Sequence, residues 1–108
     1  MKVYRILTCE DWEQVQETLP LSPIDIRDGY IHLSTKEHIL ETANRYFSKE
    51  QELIVVAFDG ESFGSHLKME YVPTRKAKFP HLYNISLVKS CVIEQLLLKM
   101  KDNVFMWS

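Results

Sequence analysis

Polar side chains able to do chemistry follow a short apolar stretch in the first third of the chain. An acidic turn at 25–28 leads into residues 30–33, a predicted strand that carries His32 and has Ser34 directly after it. Ser34 and Thr35 also open a segment with the signals of a helix start. Polar side chains beside a helix N-terminus are suited to hold an anion. The stretch therefore predicts a site for an anionic or polar ligand, with a well-capped turn as the alternative.

Three further places supply candidate side chains. Arg5 lies within the first predicted strand, and Glu70 lies on the polar face of a later alternating strand. The string 79–83, Phe-Pro-His-Leu-Tyr, joins a ring, a turn former, the imidazole of His81 and the phenol of Tyr83. If these places meet in the fold, they bring a cation, a carboxylate and an imidazole to one site.

Each of these residues also has a purely structural explanation. Ser34 precedes Glu37 by three residues, a capping-box spacing that accounts for the serine without chemistry. His32 lies between two apolar residues and points away from their face, as a hydrogen-bonded structural histidine does. Glu70 on an exposed strand face is ordinarily solvated. The basic run 75–78 is ordinarily a solvated loop, and contact with a phosphate is its alternative role.

Neither a metal site nor cysteine chemistry is expected. The histidines are scattered, and the chain has no HExxH or CxxC pattern. A cluster of His32, His81 and Glu70 would form a two-histidine, one-carboxylate set, which is a minor option. Cys9 and Cys91 lie in or beside apolar segments, which is typical of small core residues.

The composition is that of a small soluble domain. The chain has 108 residues, 45% of them hydrophobic, and a formal net charge of −2. We therefore expect a single domain over residues 1–108 with one modest core. A weakly acidic chain lacks the basic face of a general nucleic-acid binder. No signal-peptide core and no apolar run of membrane-spanning length is present, so we expect a cytoplasmic protein without membrane contact.

The hydrophobic pattern predicts an α+β fold whose sheet is mostly antiparallel. One helix is expected from a cap at Thr8 to Pro20, and a second over 39–47, where apolar residues follow helical spacing. The run 53–58 is almost entirely apolar and predicts a central strand buried on both faces. Strands are also expected at 2–7, 30–33, 67–72, 82–87 and 91–100.

Two C-terminal segments leave alternatives open. The segment 91–100 also suits a helix, because three leucines follow one another at 96–98. The apolar tail 104–107 is expected either to pack back on the domain or to form a subunit contact. With the second alternative in view, we expect a monomer or a weak homodimer.

Three strings of the chain resemble a known family. The segment 25–35, the Arg-Tyr-Phe at 45–47 and the string 79–83 are similar to the small bacterial family called domain of unknown function 952. The resemblance runs over nearly the whole chain. Asn84 stands where the family usually has Gly, and Met69 stands where an aromatic residue often precedes the glutamate. The family has no established activity.

The resemblance implies an ADP-ribosyltransferase-like fold, a split antiparallel α+β domain that grips NAD in a cleft. The transferase pattern has a His or Arg on the first core strand, a Ser or Tyr on the second and a Glu on a later strand. The positions that match here are Arg5, Ser34 (with His32) and Glu70. The segment 31–34 also looks like the His-Leu-Ser segment of the RNA 2′-phosphotransferases, which use NAD to remove a phosphate from RNA.

With that resemblance, Glu70 and His32 are the expected catalytic residues. Cleavage of the nicotinamide–ribose bond of NAD has an oxocarbenium-like transition state, which a carboxylate can stabilise. Arginine forks suit phosphates, and tyrosine rings stack on nicotinamide. The residues expected to bind the nucleotide are Arg5, Ser34, Thr35, Tyr46, His81 and Tyr83.

Two other functions remain open at this point. The domain could be a module that binds a small nucleotide or another phosphorylated metabolite without breaking a bond. It could also be a protein-interaction domain that uses its apolar tail and exposed aromatic residues. Release of nicotinamide from NAD would indicate the enzyme. Binding of a nucleotide without turnover would indicate the binding module, and self-association would indicate the interaction domain.

Overall fold

The apolar run 53–58 becomes the centre of the larger of two antiparallel sheets in the computed structural model, which describes residues 1–108. In spatial order, the four-stranded sheet contains Lys2–Thr8 (β1), Glu52–Asp59 (β3), Glu94–Lys101 (β6) and Val104–Trp107 (β7). The three-stranded sheet contains Ile31–His32 (β2), Ala77–Leu82 (β5) and Leu67–Val72 (β4). The α-helices are Cys9–Gln14 (α1), Pro23–Asp28 (α2) and Ile39–Tyr46 (α3). The predicted small α+β domain with antiparallel sheets is confirmed.

Strand β3 is buried on both faces, as its composition predicts. Val56 and Phe58 belong to a core that also contains Ile31 and Leu82 of the three-stranded sheet. The residues between them face the opposite side, where α3 covers the sheet through Ile39 and its neighbours. The larger sheet therefore lies between the smaller sheet and α3, and its strand β3 contributes side chains to the apolar core on both faces.

The segment expected to be an acidic turn is instead the helix α2. Ser22 accepts a hydrogen bond from the backbone N–H of Asp25 (3.1 Å), and the Asp25 carboxylate accepts one from the N–H of Ser22 (2.9 Å). This reciprocal cap, with Pro23 in the first turn, is a strong helix start. Gly29 ends the helix with a left-handed φ of 79°, which glycine adopts without strain.

The first helix is shorter than predicted. Thr8 caps α1 as expected, because its hydroxyl accepts a hydrogen bond from the N–H of Asp11 (3.0 Å). The helix ends at Gln14 rather than at Pro20. The backbone N–H of Leu19 instead bonds to the carbonyl of Leu87 (2.9 Å), so this segment pairs with a distant part of the chain. The domain thus has three α-helices in its N-terminal half, not the two expected.

The predicted capping box at Ser34 is wrong. Its hydroxyl donates to the carbonyl of Thr35 (2.8 Å), and a short 3-10 helix begins at Lys36 without a side-chain cap. The backbone of Ser34 instead exchanges two hydrogen bonds with Tyr4 (2.8 and 2.9 Å), an isolated bridge that joins the two sheets. Cross-sheet pairing has therefore replaced the local cap, and β2 ends at His32 rather than at residue 33.

The later strands follow the predicted pattern with one shift. Strand β4 has the predicted bounds, and the segment that also suited a helix is the strand β6. Strand β5 occupies 77–82, so the strand expected at 82–87 is misplaced, and the basic run 75–78, expected as a solvated loop, is divided between a turn and the start of β5. The pairing of β5 with strands on both sides fixes its position. Asn84 has a φ of 61°, a left-handed conformation that asparagine tolerates.

The apolar tail packs back on the domain. Its residues form β7, which pairs with β6 across a two-residue turn at Asp102 and Asn103. Both turn residues have positive φ, as two-residue hairpin turns require. Phe105 is 2% exposed and belongs to the core beneath α3. No helix of the structure has the length and apolar character that crossing a membrane would need.

Candidate functional site

The candidate chemical residues share one face of the three-stranded sheet. His32 is the cross-strand partner of His81, and His81 is the partner of Lys68 on the other side. Residues directly opposite in a sheet project to the same face, and so do residues two apart. Glu70 and Phe79 therefore join the two imidazoles on this face. The neighbouring residues of β2 and β5 face the apolar core, which keeps the polar face pointing outward.

Asp25 is the buried centre that ties this face to the rest of the domain. Its carboxylate, 1% exposed, accepts hydrogen bonds from the Arg5 guanidinium (2.5 Å), the His32 backbone N–H (3.0 Å) and the His32 ring (2.8 Å). It also caps α2 through Ser22. Burial by itself raises the pKa of Asp25, but the bonds from His32 and Arg5 outweigh burial and hold it well below its ordinary value.

The His32 ring is held between two carboxylates. Its Nδ1 lies 2.8 Å from an oxygen of Asp25, and its Nε2 lies 3.0 Å from an oxygen of Asp28. Carboxylates only accept hydrogen bonds, so a ring that donates to both is an imidazolium. In this geometry His32 has no ring nitrogen left to bond a ligand.

Glu70 contacts two predicted site residues. One oxygen of its carboxylate lies 2.9 Å from Nδ1 of His81 and accepts a 2.5 Å hydrogen bond from the Tyr83 hydroxyl. These bonds, from Tyr83 first and then His81, lower the pKa of Glu70. The bond to the carboxylate raises the pKa of Tyr83 to about 12. The Glu70 side chain is 39% exposed, so the trio lies at the rim of the site.

The Tyr30 ring contacts the rings of both His32 and His81. Its ring stacks on His81 with centroids 4.2 Å apart, and it lies 4.6 Å from the His32 ring and 5.1 Å from the Tyr83 ring. Stacked and tilted contacts of this kind add to the apolar burial of the rings. The His81 ring is thus fixed by Tyr30 on its face and by Glu70 on its edge.

A cavity of about 700 Å³ opens beside these residues. This size lies within the range of small-molecule sites in proteins. The structure brings together at its wall several predicted site residues: Arg5, His32, Ser34, Tyr46 and His81. It does not bring Glu70, Thr35 or Tyr83 to the wall. Glu70 touches the lining through His81, Tyr83 lies against Tyr30 of the lining, and the buried Thr35 hydroxyl has no hydrogen-bond partner.

Both terminal nitrogens of the Arg5 guanidinium are already used by the protein. Its guanidinium is paired with Asp25 and donates to the carbonyls of His32 (2.8 Å) and Pro20 (3.4 Å). Through these bonds, the cation on β1 holds α2 and β2 in place. The predicted role of Arg5 as a phosphate fork therefore needs a ligand to compete with these bonds.

Arg75 supplies a second cation at the cavity. It stands in the basic run, and its side chain is folded over Phe79, with 4.5 Å from the guanidinium carbon to the ring centroid. Its Nε and Nη2 bond to Glu41 and to the Thr42 hydroxyl, while Nη1 has no hydrogen-bond partner. Tyr46 lies at the same wall, 5.7 Å from the guanidinium carbon. This end of the cavity therefore combines two aromatic rings with a guanidinium that contacts both of them and keeps one nitrogen unpaired.

Sequence reasoning missed several residues of this site. Tyr30 could have been found from the spacing that puts it two residues before His32 on the same strand face. Asp25 could have been found from its capping-box distance to Ser22. The place of Arg75 at the cavity has no local signal, because it depends on how the 73–76 turn lies against α3. No group of three or more His, Cys, Asp or Glu residues is arranged to hold a metal ion.

Comparison with known proteins places the chain in a family. Residues 6–95 match the model of the family described as protein of unknown function DUF952, and the chain belongs to that family. The X-ray crystal structure of protein CC0527 from Caulobacter crescentus has 34% sequence identity and a TM-score of 0.85, covering 98% of this chain and 94% of that one. The solution NMR structure of CC0527 has 32% identity and a TM-score of 0.79, covering 96% and 90%. No curated protein matches the chain.

Proposed function

We propose that the cavity binds NAD or a related nucleotide, in a domain of ADP-ribosyltransferase-like type. The observation that carries the proposal is the pairing, within one cavity, of the Tyr46 and Phe79 rings and an unpaired arginine N–H at one end with two imidazoles at the other. A nucleotide presents a flat base, a polar ribose and an anionic phosphate. The cavity offers a partner of suitable chemistry for each of the three.

The ring end suits a base or a nicotinamide. Tyr46 lines the cavity and is 54% exposed, so one face of its ring is open to contact a ligand. Phe79 lines the same space beneath Arg75. A planar ligand that covers these rings removes apolar surface from water, and stacking on an aromatic side chain contributes about 1–3 kcal/mol per base.

The polar groups suit the phosphate and the ribose. The Arg75 guanidinium keeps Nη1 unpaired, and arginine N–H groups match phosphate oxygens in geometry and charge. At the other end, His81 and the Ser34 region supply groups that can bond ribose hydroxyls. The split between the two sheets, which meet at the Tyr4–Ser34 bridge, supports the likeness to the transferase cleft.

Cleavage of the nicotinamide–ribose bond is the second candidate function. It is favoured by the Glu70–His81 pair at the cavity rim, because a carboxylate and an imidazole can stabilise or deprotonate a sugar during cleavage. Glu70 has one carboxylate oxygen without a partner and is exposed enough to meet a ribose at the rim. The protein would then transfer ADP-ribose to an acceptor or to water.

Calorimetric titration with NAD, ADP-ribose and AMP tests binding. The informative variant is Tyr46→Ala, and the matched control is Tyr71→Ala, since Tyr71 is 58% exposed but does not line the cavity. We expect saturable binding that weakens about tenfold in Tyr46→Ala, in line with the loss of one stacking contact. Binding should be unchanged in Tyr71→Ala. Absence of binding for all three ligands, or equal losses in both variants, would contradict the proposal.

Nicotinamide release from NAD tests cleavage. Wild type and Glu70→Gln are compared over a protein-free blank, with water and with small nucleophiles as acceptors. Release by wild type that falls at least 100-fold in Glu70→Gln supports the second function. Tight binding of NAD without release leaves a binding module and rejects cleavage.

A further inference from the structure

We infer that His81, and not His32, is the proton-accepting residue of this cavity, and that Glu70 is its positioning residue. The inference deepens the cleavage function proposed above, and its reaction step rests on that proposal. The assignment of a free ring-nitrogen lone pair to His81, in contrast, rests only on the contacts of the two histidines. It can therefore be tested without any ligand.

The contacts of His81 fix where its ring proton lies. Nδ1 faces the Glu70 carboxylate at 2.9 Å, and a carboxylate can only accept, so Nδ1 carries the proton. Nε2 has no hydrogen-bond partner, and His81 lines the cavity. In a neutral ring, Nε2 then presents its lone pair. Tyr30, stacked at 4.2 Å, holds the ring against rotation.

His32 offers the opposite arrangement on the same face of the sheet. Both of its ring nitrogens are engaged by carboxylates, Asp25 on one side and Asp28 on the other. The two rings are 5.5 Å apart, but the His32 side chain is 32% exposed and the His81 side chain only 5%, so the rings differ in burial as well as in hydrogen-bond partners. A ring that donates twice has no lone pair, and it cannot accept a proton from a ligand.

The surroundings of His81 favour its neutral form. Burial lowers the pKa of the imidazole, and the bond to Glu70 opposes this only in part. His32 in its protonated form lowers that pKa further. The charged and titratable groups that face the ring from the elements around it are Glu70 and Lys68 from β4, His32 from β2, Asp28 from α2, and the phenols of Tyr30 and Tyr83.

In the proposed cleavage step, His81 acts as the base. Nε2 of His81 takes the proton from the O–H of a water molecule or an acceptor alcohol. The oxygen forms a bond to C1′ of the ribose while the bond from C1′ to the nicotinamide nitrogen breaks. The electron pair of that bond leaves with nicotinamide, which turns from a cationic pyridinium into a neutral ring. The proton on His81 then passes to solvent.

Long-range ¹H–¹⁵N NMR of the histidine rings tests the assignment in the ligand-free protein. We expect wild-type His81 to show a protonated Nδ1 and an unprotonated Nε2, with signals identified by their loss in His81→Asn. In Glu70→Gln, both tautomers should appear. The pKa of His81 should also fall, because the Glu70 carboxylate that raises it is gone. His66→Gln is the control, since His66 does not line the cavity. A wild-type ring protonated at Nε2, or a ring unchanged in Glu70→Gln, overturns the inference.

Kinetics separate this inference from the proposed function. If nicotinamide is released, His81→Asn should lower kcat about 100-fold or more, and Glu70→Gln should move the acid limb of the kcat/KM profile to lower pH. Full activity in His81→Asn overturns the inference and leaves cleavage standing. If NAD is not cleaved but the NMR shows the expected tautomer, the cleavage function fails and the proton-accepting assignment stands.

Discussion

The two sheets of this domain are stabilised by different interactions. In the four-stranded sheet, the central strand β3 carries five residues with no exposed surface, all of them apolar: Leu53, Val55, Val56, Ala57 and Phe58. In the three-stranded sheet, only one face is apolar. The other carries two histidines, a glutamate and the cavity. The larger sheet therefore provides burial, and the smaller sheet uses that support to hold polar groups in fixed positions.

Burial also distinguishes two ion pairs whose cations both lie on β1. Arg5–Asp25 is buried and joins β1 to the site, and its carboxylate accepts bonds from several donors. Lys2–Glu94, on the four-stranded sheet, has a 3.2 Å contact between exposed side chains. A buried charge without a partner costs much free energy, whereas water screens the attraction between the members of an exposed pair. The burial of a charge, rather than the number of its contacts, therefore decides how much it contributes to stability.

The largest effect is expected from truncating the apolar centre. Phe58→Ala should lower the free energy of unfolding by about 3–5 kcal/mol, because it leaves a cavity between the sheets where no side chain can move in. Urea unfolding followed by circular dichroism measures the change. Phe58→Leu, which keeps most of the volume, should lose clearly less. A loss below 1 kcal/mol in Phe58→Ala would mean that the two sheets are not joined by this core.

A slightly smaller effect is expected from the polar centre. Asp25→Asn should cost about 3 kcal/mol at neutral pH, since it leaves the Arg5 charge buried without a counter-ion. The folded pKa of Asp25 lies below its unfolded value, so its contribution is complete above that unfolded value of about 3.9. It is lost as the pH falls from there. The difference between wild type and variant should therefore shrink in urea titrations below pH 4, and a difference independent of pH would contradict this assignment.

The smallest effect is expected at the exposed pair on the larger sheet. Glu94→Gln should change the free energy of unfolding by less than about 0.5 kcal/mol, because the contact with Lys2 is solvated. The measurement is the same urea titration, repeated at high salt, where even this difference should vanish. A loss as large as that of Asp25→Asn would show that burial does not separate the two ion pairs.

The parts of the fold that the sequence predicts are those with a local pattern. The apolar run at β3, the alternation of β4 and the apolar stripe of α3 each repeat with a clear period, and all three elements form where expected. Ser34 and the segment 15–19 were placed wrongly. In both, a local helix signal competes with backbone pairing to a distant residue, and the distant pairing prevails.

The residue types of the candidate site are likewise present in the sequence, but their partners are not. Spacing alone puts His32 and Tyr30 on one face, and the string 79–83 brings an imidazole next to aromatic rings. Nothing in the spacing indicates that two carboxylates engage His32 while a single carboxylate engages His81. That difference decides which ring can accept a proton, and it depends on contacts between residues 4 to 11 positions apart in the chain.

By itself, the sequence determined the fold class, the family and the central buried strand, because hydrophobic periodicity and short motifs are properties of neighbouring residues. Only the tertiary structure decided that Asp25 bonds to both Arg5 and His32, and that Arg75 reaches the cavity. Hydrogen bonds and burial act through space at a few ångströms, and folding alone sets which distant side chains come within that range.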